Sequence, residues 1–595
     1  MPARRRFLKA LAPLLAVLLL ALAFFAPQLG LDNDPGWGRG RYALLAAGLL
    51  TLGWAGWDEA APRLAALLGC VLAPIGPRLP ARGGNLARVG HRLREVVPAP
   101  AARHLPRLAL SLAVALIPLL YLWVLTAGDL TRWPRGSRYF YLLGQAFRHG
   151  QLYLLEEPSP ELLASPNPYF YKERGEVPVI WDALFYQGKY YLYWGPVPGL
   201  IVAALQPLFS EKIRDPALLF PFVLGTFGFN VLLLAAVWRR FGWLPRGMFW
   251  GGLLALGLNA PLVWLLTRPK VYEVAIAGGQ FFLIGGLYWA FTGLRGRRAS
   301  VWRLGLAAAF WALAANTRLN LSLSIAFLGL VVAWRIFRLH AREWRTLIAT
   351  GLAFGLPLLA GAAALMAYNQ ARFGSPFDFG YRYLITGPTI PEDPSRTASL
   401  DYVVPNVYQY LLRPPEVRRE FPYVVVPWIK NDMWPPYIRL PRDYFYTEPV
   451  ASLPLTVPVI GLAGLAALRL GWLHLNGLAP PPARVPREDR GLFAWLCAAL
   501  GGSALLAFVV LLVFIQNTYR YLVDLSLTTT LLAVLFVAHY RVRARGWPRR
   551  LWAAAWGLAA LLTPLFGLLI AITGYARAFE KSNPDLYFRM LDWFP

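Results

Sequence analysis

The sequence predicts an all-α polytopic membrane protein, and three observations carry that prediction. Apolar runs recur along nearly all of the 595 residues, which are 57% hydrophobic with a mean hydropathy of +0.45. Many of these runs approach the roughly 20 residues that a helix needs to cross a bilayer. The basic residues, almost all Arg, cluster between the runs rather than spreading evenly. Lipid offers the backbone no hydrogen-bond partner, so such runs are helices. The net charge of +28 follows from the positive-inside bias and from anionic lipid headgroups. No basic soluble module marks a nucleic-acid partner. Cys70 and Cys497 lie far apart in apolar segments without a CxxC or a His neighbour, and read as small buried hydrophobes.

About 13 spans are expected. The first follows Arg4, Arg5 and Arg6, which place the N-terminus inside; the second covers 41–57. Residues 64–75 are too short to cross and read as interfacial. Segment 77–107 carries seven Arg against Glu95, a cytoplasmic signature. The third span, 108–127, leads outward to Asp129. From 128 to 215 nine acids face nine bases, as an outer loop tolerates. Five later Arg clusters, beginning at Arg239, Arg295, Arg335, Arg484 and Arg541, read as inside. The connectors between them read as outside, and the longest, 369–452, again balances nine acids with nine bases. It is long enough to form an ordered cap.

Charge parity then decides "WGPVPGLIVAALQPLF" (194–209). The chain is outside at 128 and inside at Arg239, so an odd number of crossings separates them. Only 216–238 has full length, so 196–209 is expected to lie on the outer surface as an interfacial helix. The C-terminus falls outside. The division expected is a two-span extension with a basic loop (1–107), a transmembrane core (108–540), and a last span with an extracytoplasmic tail (541–595).

No P-loop, dinucleotide fingerprint, HExxH or GxSxG is present. Charged and amide residues instead stand at the outer ends of spans: Asp129, Glu273, Asn316, Arg318, Arg372 and Arg520, the last flanked by Tyr519 and Tyr521. Ionisable groups at membrane depth are costly and mark functional candidates.

Four stretches carry a resemblance: "GSRYFYLLGQAFRHGQLYL" (136–154), "DALFYQGKYYLYWGPVPGL" (182–200), "YNQARFGSPFDFGYRY" (368–383) and "NTYRYLVDLSL" (517–527). In content and order they resemble bacterial polytopic GT-C glycosyltransferases, a group similar to protein O-mannosyltransferases, aminoarabinose transferases and oligosaccharyltransferases. The resemblance covers roughly 108–540. It implies a cell inner-membrane enzyme that takes a hexosyl or pentosyl group from a polyprenyl-phosphate sugar. The acceptor would be a glycan, lipid or protein on the extracytoplasmic face, and the transfer inverting.

The resemblance also implies an acid in the first outer loop, a second acid at the next outer turn, and basic residues for the donor phosphate. Relatives carry an Asp-Glu pair where this chain has Ser137-Arg138, so Asp129 or Asp182 is expected to supply the base. Glu273 matches the second acid, and Arg318, Arg372 and Arg520 match phosphate ligands. Tyr191, Tyr193, Asn316, Tyr381 and Tyr519 are supporting candidates. No Asp-x-Asp stands in a matching outer position, since "DND" at 32–34 falls outside the matching region. A divalent metal is left open, and no other cofactor is implied. Two further readings stay open: a lipid or glycan transporter, and a non-catalytic lipid-binding or scaffold protein of the same fold.

Overall fold

The computed structural model describes residues 105–385, 397–429, 433–441, 444, 448–477, 485–543 and 546–594. The two spans expected before residue 104, the interfacial 64–75 segment and Cys70 lie outside them. The chain divides into two compact units. One is Met1–Leu120 with Gln206–Lys212, described only over 105–120 and 206–212. The other is Tyr121–Leu205 with Ile213–Pro595.

The described chain is mostly helical with little sheet. Nine of its helical stretches are long and apolar enough to cross a membrane. They lie in α4 (Asp215–Arg240), α5 with α6 (Gly247–Gly257, Ala260–Leu265), α7 (Val271–Leu294), α9 (Ser322–His340), α10 (Trp344–Phe373), α11 (Pro458–Leu475), α12 (Arg487–Val513), α13 (Val523–Arg543) and α14 (Gly546–Thr573). Helix α8 (Val301–Thr317) is 17 residues long. The segment in question at 196–209 forms helix α3 (Val197–Leu205) and one 3-10 turn, far short of a span.

Burial separates the helices by role. Nearly all of α7 is buried against α4 and α8, while α10 buries only a few of its 30 residues and presents leucines outward. An apolar surface of that size suits lipid, not water. The break between α5 and α6 leaves backbone groups without helical partners. Tyr121 donates to the Gly257 carbonyl there, and Asn259 Nδ2 donates to Thr530 Oγ1 at 3.0 Å. The Tyr121 hydroxyl thus satisfies a carbonyl of the broken helix, and the Asn259–Thr530 bond ties the break to α13.

The first loop is ordered by a small antiparallel sheet. Strand β1 (Ala183–Tyr186) turns at Gln187-Gly188, both at positive φ, into β2 (Lys189–Tyr191). That dipeptide suits a two-residue hairpin turn. Strand β3 (Leu384–Ile385), from the second loop, pairs with the other edge of β1, placing Leu384 opposite Leu184. Helix α2 (Tyr139–Arg148) packs on α3 where Gly199 meets Leu143. Its first turn is capped from a distance, because Asp215 accepts from the backbone N–H of Tyr139 and Phe140, each at 3.2 Å. Ser137 donates its hydroxyl to the same carboxylate and accepts from Val271 N at 2.8 Å. Ser137 therefore joins α2, α4 and α7.

Candidate functional site

A cavity of about 470 Å³ opens between the first loop, the second loop and the ends of α7 and α8. Strand pairing places its first acid. Asp182 immediately precedes β1, its N–H donates to Ile385 O at 2.8 Å, and its φ is +57°. Asp tolerates this left-handed conformation better than most residues. Such positions cluster at functional sites. The Tyr272 hydroxyl, from the first turn of α7, donates to Asp182 Oδ2.

The YLYWGP turn forms an aromatic wall. Tyr193 stacks on Trp194 at 4.1 Å between centroids, and Trp194 meets Tyr139 and Tyr272 edge-on at 5.7 and 5.4 Å. Gly195 is required at the end of the turn. A Cβ there would lie 1.9 Å from the carbonyl oxygen of Asn316, two residues before Arg318. Burial, with the nearby Asp182 and Asp215 charges, pushes the Tyr139 hydroxyl up to about 12. Burial also raises the Tyr193 and Tyr381 hydroxyls well above the usual phenol range. All three phenols stay neutral and able to donate at physiological pH.

Three arginines line the opposite side: Arg268, Arg318 and Arg520. Each is held by a carboxylate. Arg318 donates through Nε to both Asp524 oxygens at 2.8 Å and through Nη2 to Oδ2 at 2.6 Å. Arg520 Nη1 lies 2.6 Å from Glu448 Oε2 and 3.9 Å from Glu273 Oε1, and Arg268 Nη1 lies 3.6 Å from Glu448 Oε1. Two tyrosine rings sit among the guanidinium groups. Tyr272 faces Arg520 at 4.8 Å and Arg268 at 5.6 Å, while Tyr521 faces Arg318 and Arg520, each at 5.5 Å. Burial alone would raise the Glu448 carboxyl. The Arg520 and Arg268 charges, with hydrogen bonds from Thr518 and Arg520, instead hold it below its ordinary value.

Of the residues expected from sequence, Asp182, Arg318, Arg520, Tyr193 and Tyr381 share this cavity. Glu273 is buried just behind it, beside Arg520. The others stand elsewhere. Asp129 is near the surface, bonded to Thr131 and 3.5 Å from the exposed Arg132. Thr131 and Arg132 keep its carboxyl below the usual range. Arg372 is buried under the first loop, donating to Leu192 O at 2.7 Å and Asn369 Oδ1 at 2.8 Å. Asn316 joins α8 to α10 through Gly361 O. Tyr191 packs on Phe373, and Tyr519 is fully buried against Trp264.

Sequence reasoning missed Arg268, Tyr272, Glu448 and Asp524. Asp524 lies four residues after Arg520 in "YRYLVD", but its partner is Arg318, 206 positions away, which no local pattern encodes. Glu448 had no local signal, as one of nine acids in a balanced loop. Among the described residues, no three His, Cys, Asp or Glu side chains converge as a metal site. Comparison with protein-family models, curated proteins and solved structures finds no match to this chain.

Proposed function

We propose that the chain is an inverting membrane glycosyltransferase that uses a polyprenyl-phosphate sugar at its extracytoplasmic face. The observation that carries this reading is one cavity holding Asp182 together with Arg268, Arg318 and Arg520. Asp182 takes the proton of the acceptor hydroxyl as that oxygen attacks the anomeric carbon. The bond from the anomeric carbon to the phosphate oxygen breaks, and its electron pair leaves with polyprenyl phosphate. The arginines stabilise the charge growing on that phosphate. Glu273 and Glu448 position Arg520, and Tyr272 orients Asp182. Asp129 and Arg372 have no part in the step.

Strand pairing supports the expected topology. Leu184 and Leu384 are paired, so their loops share one side of the membrane and an even number of crossings separates them. Helices α4 to α10 supply six, with α5 and α6 taken together and α8 counted. A crossing by α3 would make the number odd. Adding Leu105–Leu125, the four later spans and two before residue 104 gives 13.

The test uses the full chain in lipid nanodiscs with polyprenyl-phosphate sugars, reading release of polyprenyl phosphate. Asp182→Asn keeps the shape and the acceptor for Tyr272 but cannot take the proton. It is expected to lower kcat by about 10²- to 10⁴-fold while leaving lipid binding intact. Undiminished turnover in Asp182→Asn would remove the assignment. One observation favours a lipid-binding scaffold: Asp524 already neutralises Arg318. In that case the protein binds polyprenyl phosphate but consumes none of the donors.

A further inference from the structure

A second polar pocket lies at the far end of α7. It measures about 160 Å³ and is walled by Arg239 at the end of α4, Tyr288, Trp289 and Thr292 on α7, Arg295 just beyond, and Arg303 on α8. Helix α7 runs 24 residues from the first cavity, or about 36 Å, which places the pocket at the opposite ends of the same spans.

Its electrostatics are unlike those of the first cavity, where every arginine has a carboxylate. No carboxylate lines this pocket. Among the described residues, no salt bridge engages Arg239, Arg295 or Arg303, although Arg298 in the same loop faces Glu343 at 3.9 Å. Arg303 spends one N–H on Thr292 O at 3.1 Å, which fixes it against α7, and lies over the Trp302 ring at 5.0 Å. Trp289 Nε1 is buried without an acceptor among the described residues. A buried donor left unpaired is unfavourable. Three cations in one pocket ask for an anionic, multidentate acceptor.

We propose that this pocket binds the phosphate group of an anionic phospholipid. A volume of about 160 Å³ is below the roughly 300–1,000 Å³ of pockets that enclose whole small molecules. It suits a headgroup phosphate whose chains remain in the bilayer. Leu232, on the pocket wall and half exposed on the apolar flank of α4, gives such a chain a surface to lie on. Basic pockets between helices at one membrane face recognise lipid headgroups in this way.

The experiment takes the purified full chain from nanodiscs of phosphatidylcholine and phosphatidylglycerol and measures retained lipid by native mass spectrometry. Wild-type protein is expected to enrich phosphatidylglycerol over the bulk composition. Each arginine contributes up to about fivefold. The variant Arg239→Gln/Arg295→Gln/Arg303→Gln should return to bulk composition. A control carrying Arg342→Gln, Arg549→Gln and Arg550→Gln, all at exposed sites, should keep the enrichment. The single Arg295→Gln should weaken it, and carries the test if the triple variant does not fold. Equal losses in the triple variant and the control would mean diffuse charge attraction and overturn the site. Displacement of the lipid by millimolar inorganic phosphate at matched ionic strength would make the ligand a free phosphate and overturn the lipid assignment.

Discussion

Glu448 ties together two of the arginines that line the cavity. Its two oxygens face two arginines from different segments, Arg520 at 2.6 Å and Arg268 at 3.6 Å. Removing one partner of a buried ion pair costs about 3–5 kcal/mol, because the other charge is left uncompensated. Glu448→Gln should fall near the lower end, since Glu273 still faces Arg520. The pH dependence has a definite sign. The folded carboxyl lies below its ordinary value of 4.5, so its stabilisation is present above that pH and disappears as pH falls through the lowered folded value. Thermal melting in detergent should show a constant gap between wild type and Glu448→Gln from pH 8 to about 5, narrowing only in stronger acid. A gap that closes as pH rises above 5 would mean that the folded carboxyl is protonated, against the pairing described. Asp182 and Arg520 were legible because they stand in the tyrosine-rich stretches at 182–200 and 517–527, and Arg318 because it stands at the end of an apolar run. Arg268 and Glu448 were not, because they meet across 180 residues and nothing local distinguishes either from its charged neighbours.

Among the elements, the WGPVPG turn and α3 show what length and pattern can and cannot reveal. Charge parity and shortness together predicted that 196–209 would not span, and the helix ends at Leu205. Sequence did not reveal that its first glycine touches the end of α8. A Cβ at Gly195 would meet backbone atoms of Asn316 and Thr317, which cannot rotate away as a side chain would. Gly195→Ala must therefore displace either the turn or the segment carrying Arg318. Overpacking of this kind costs about 1–3 kcal/mol. A lower melting temperature, with weaker donor binding as Arg318 moves, is the expected result. Gly351→Ala supplies the contrast. That glycine lies within α10 with nothing within 4 Å of the added methyl, so the change should be neutral or slightly stabilising. Equal melting of the two variants would show that the turn is not seated against α8. The three-stranded sheet was also invisible in sequence. The alternation around Gln187-Gly188 suits a hairpin, but pairing β1 with β3 joins residues 200 positions apart, and no local pattern encodes that partner.

At the scale of the whole chain, the distribution of charge and the strand pairing constrain the crossings by separate physics. Arginine clusters resist translocation and so assign each connector to a side. Hydrogen bonds between β1 and β3 require only that two loops meet, and know nothing of charge. The charge clusters are expected to keep α3 on one surface and to require that the 17-residue α8 cross; the pairing requires only an even total, so that α8 crosses if α3 does not. Hydropathy alone could not decide α8, because 17 residues is the lower limit for a span. Cysteine labelling can decide it in a background where Cys70 and Cys497 are replaced by Ser. Leu155→Cys, before α3, and Tyr437→Cys, in the second large loop, are both at exposed sites and should react with a membrane-impermeant maleimide in intact cells. Arg297→Cys and Arg342→Cys should react only after permeabilisation. Labelling of position 155 but not 437 would mean that α3 crosses or that α8 does not, and the loops that build the cavity could not meet. Labelling of 297 and 342 but not the other pair would invert the molecule. The Asp182 cavity would then face the cytoplasm and the arginine pocket the outer leaflet, so the orientation of the chain decides which membrane face each site serves.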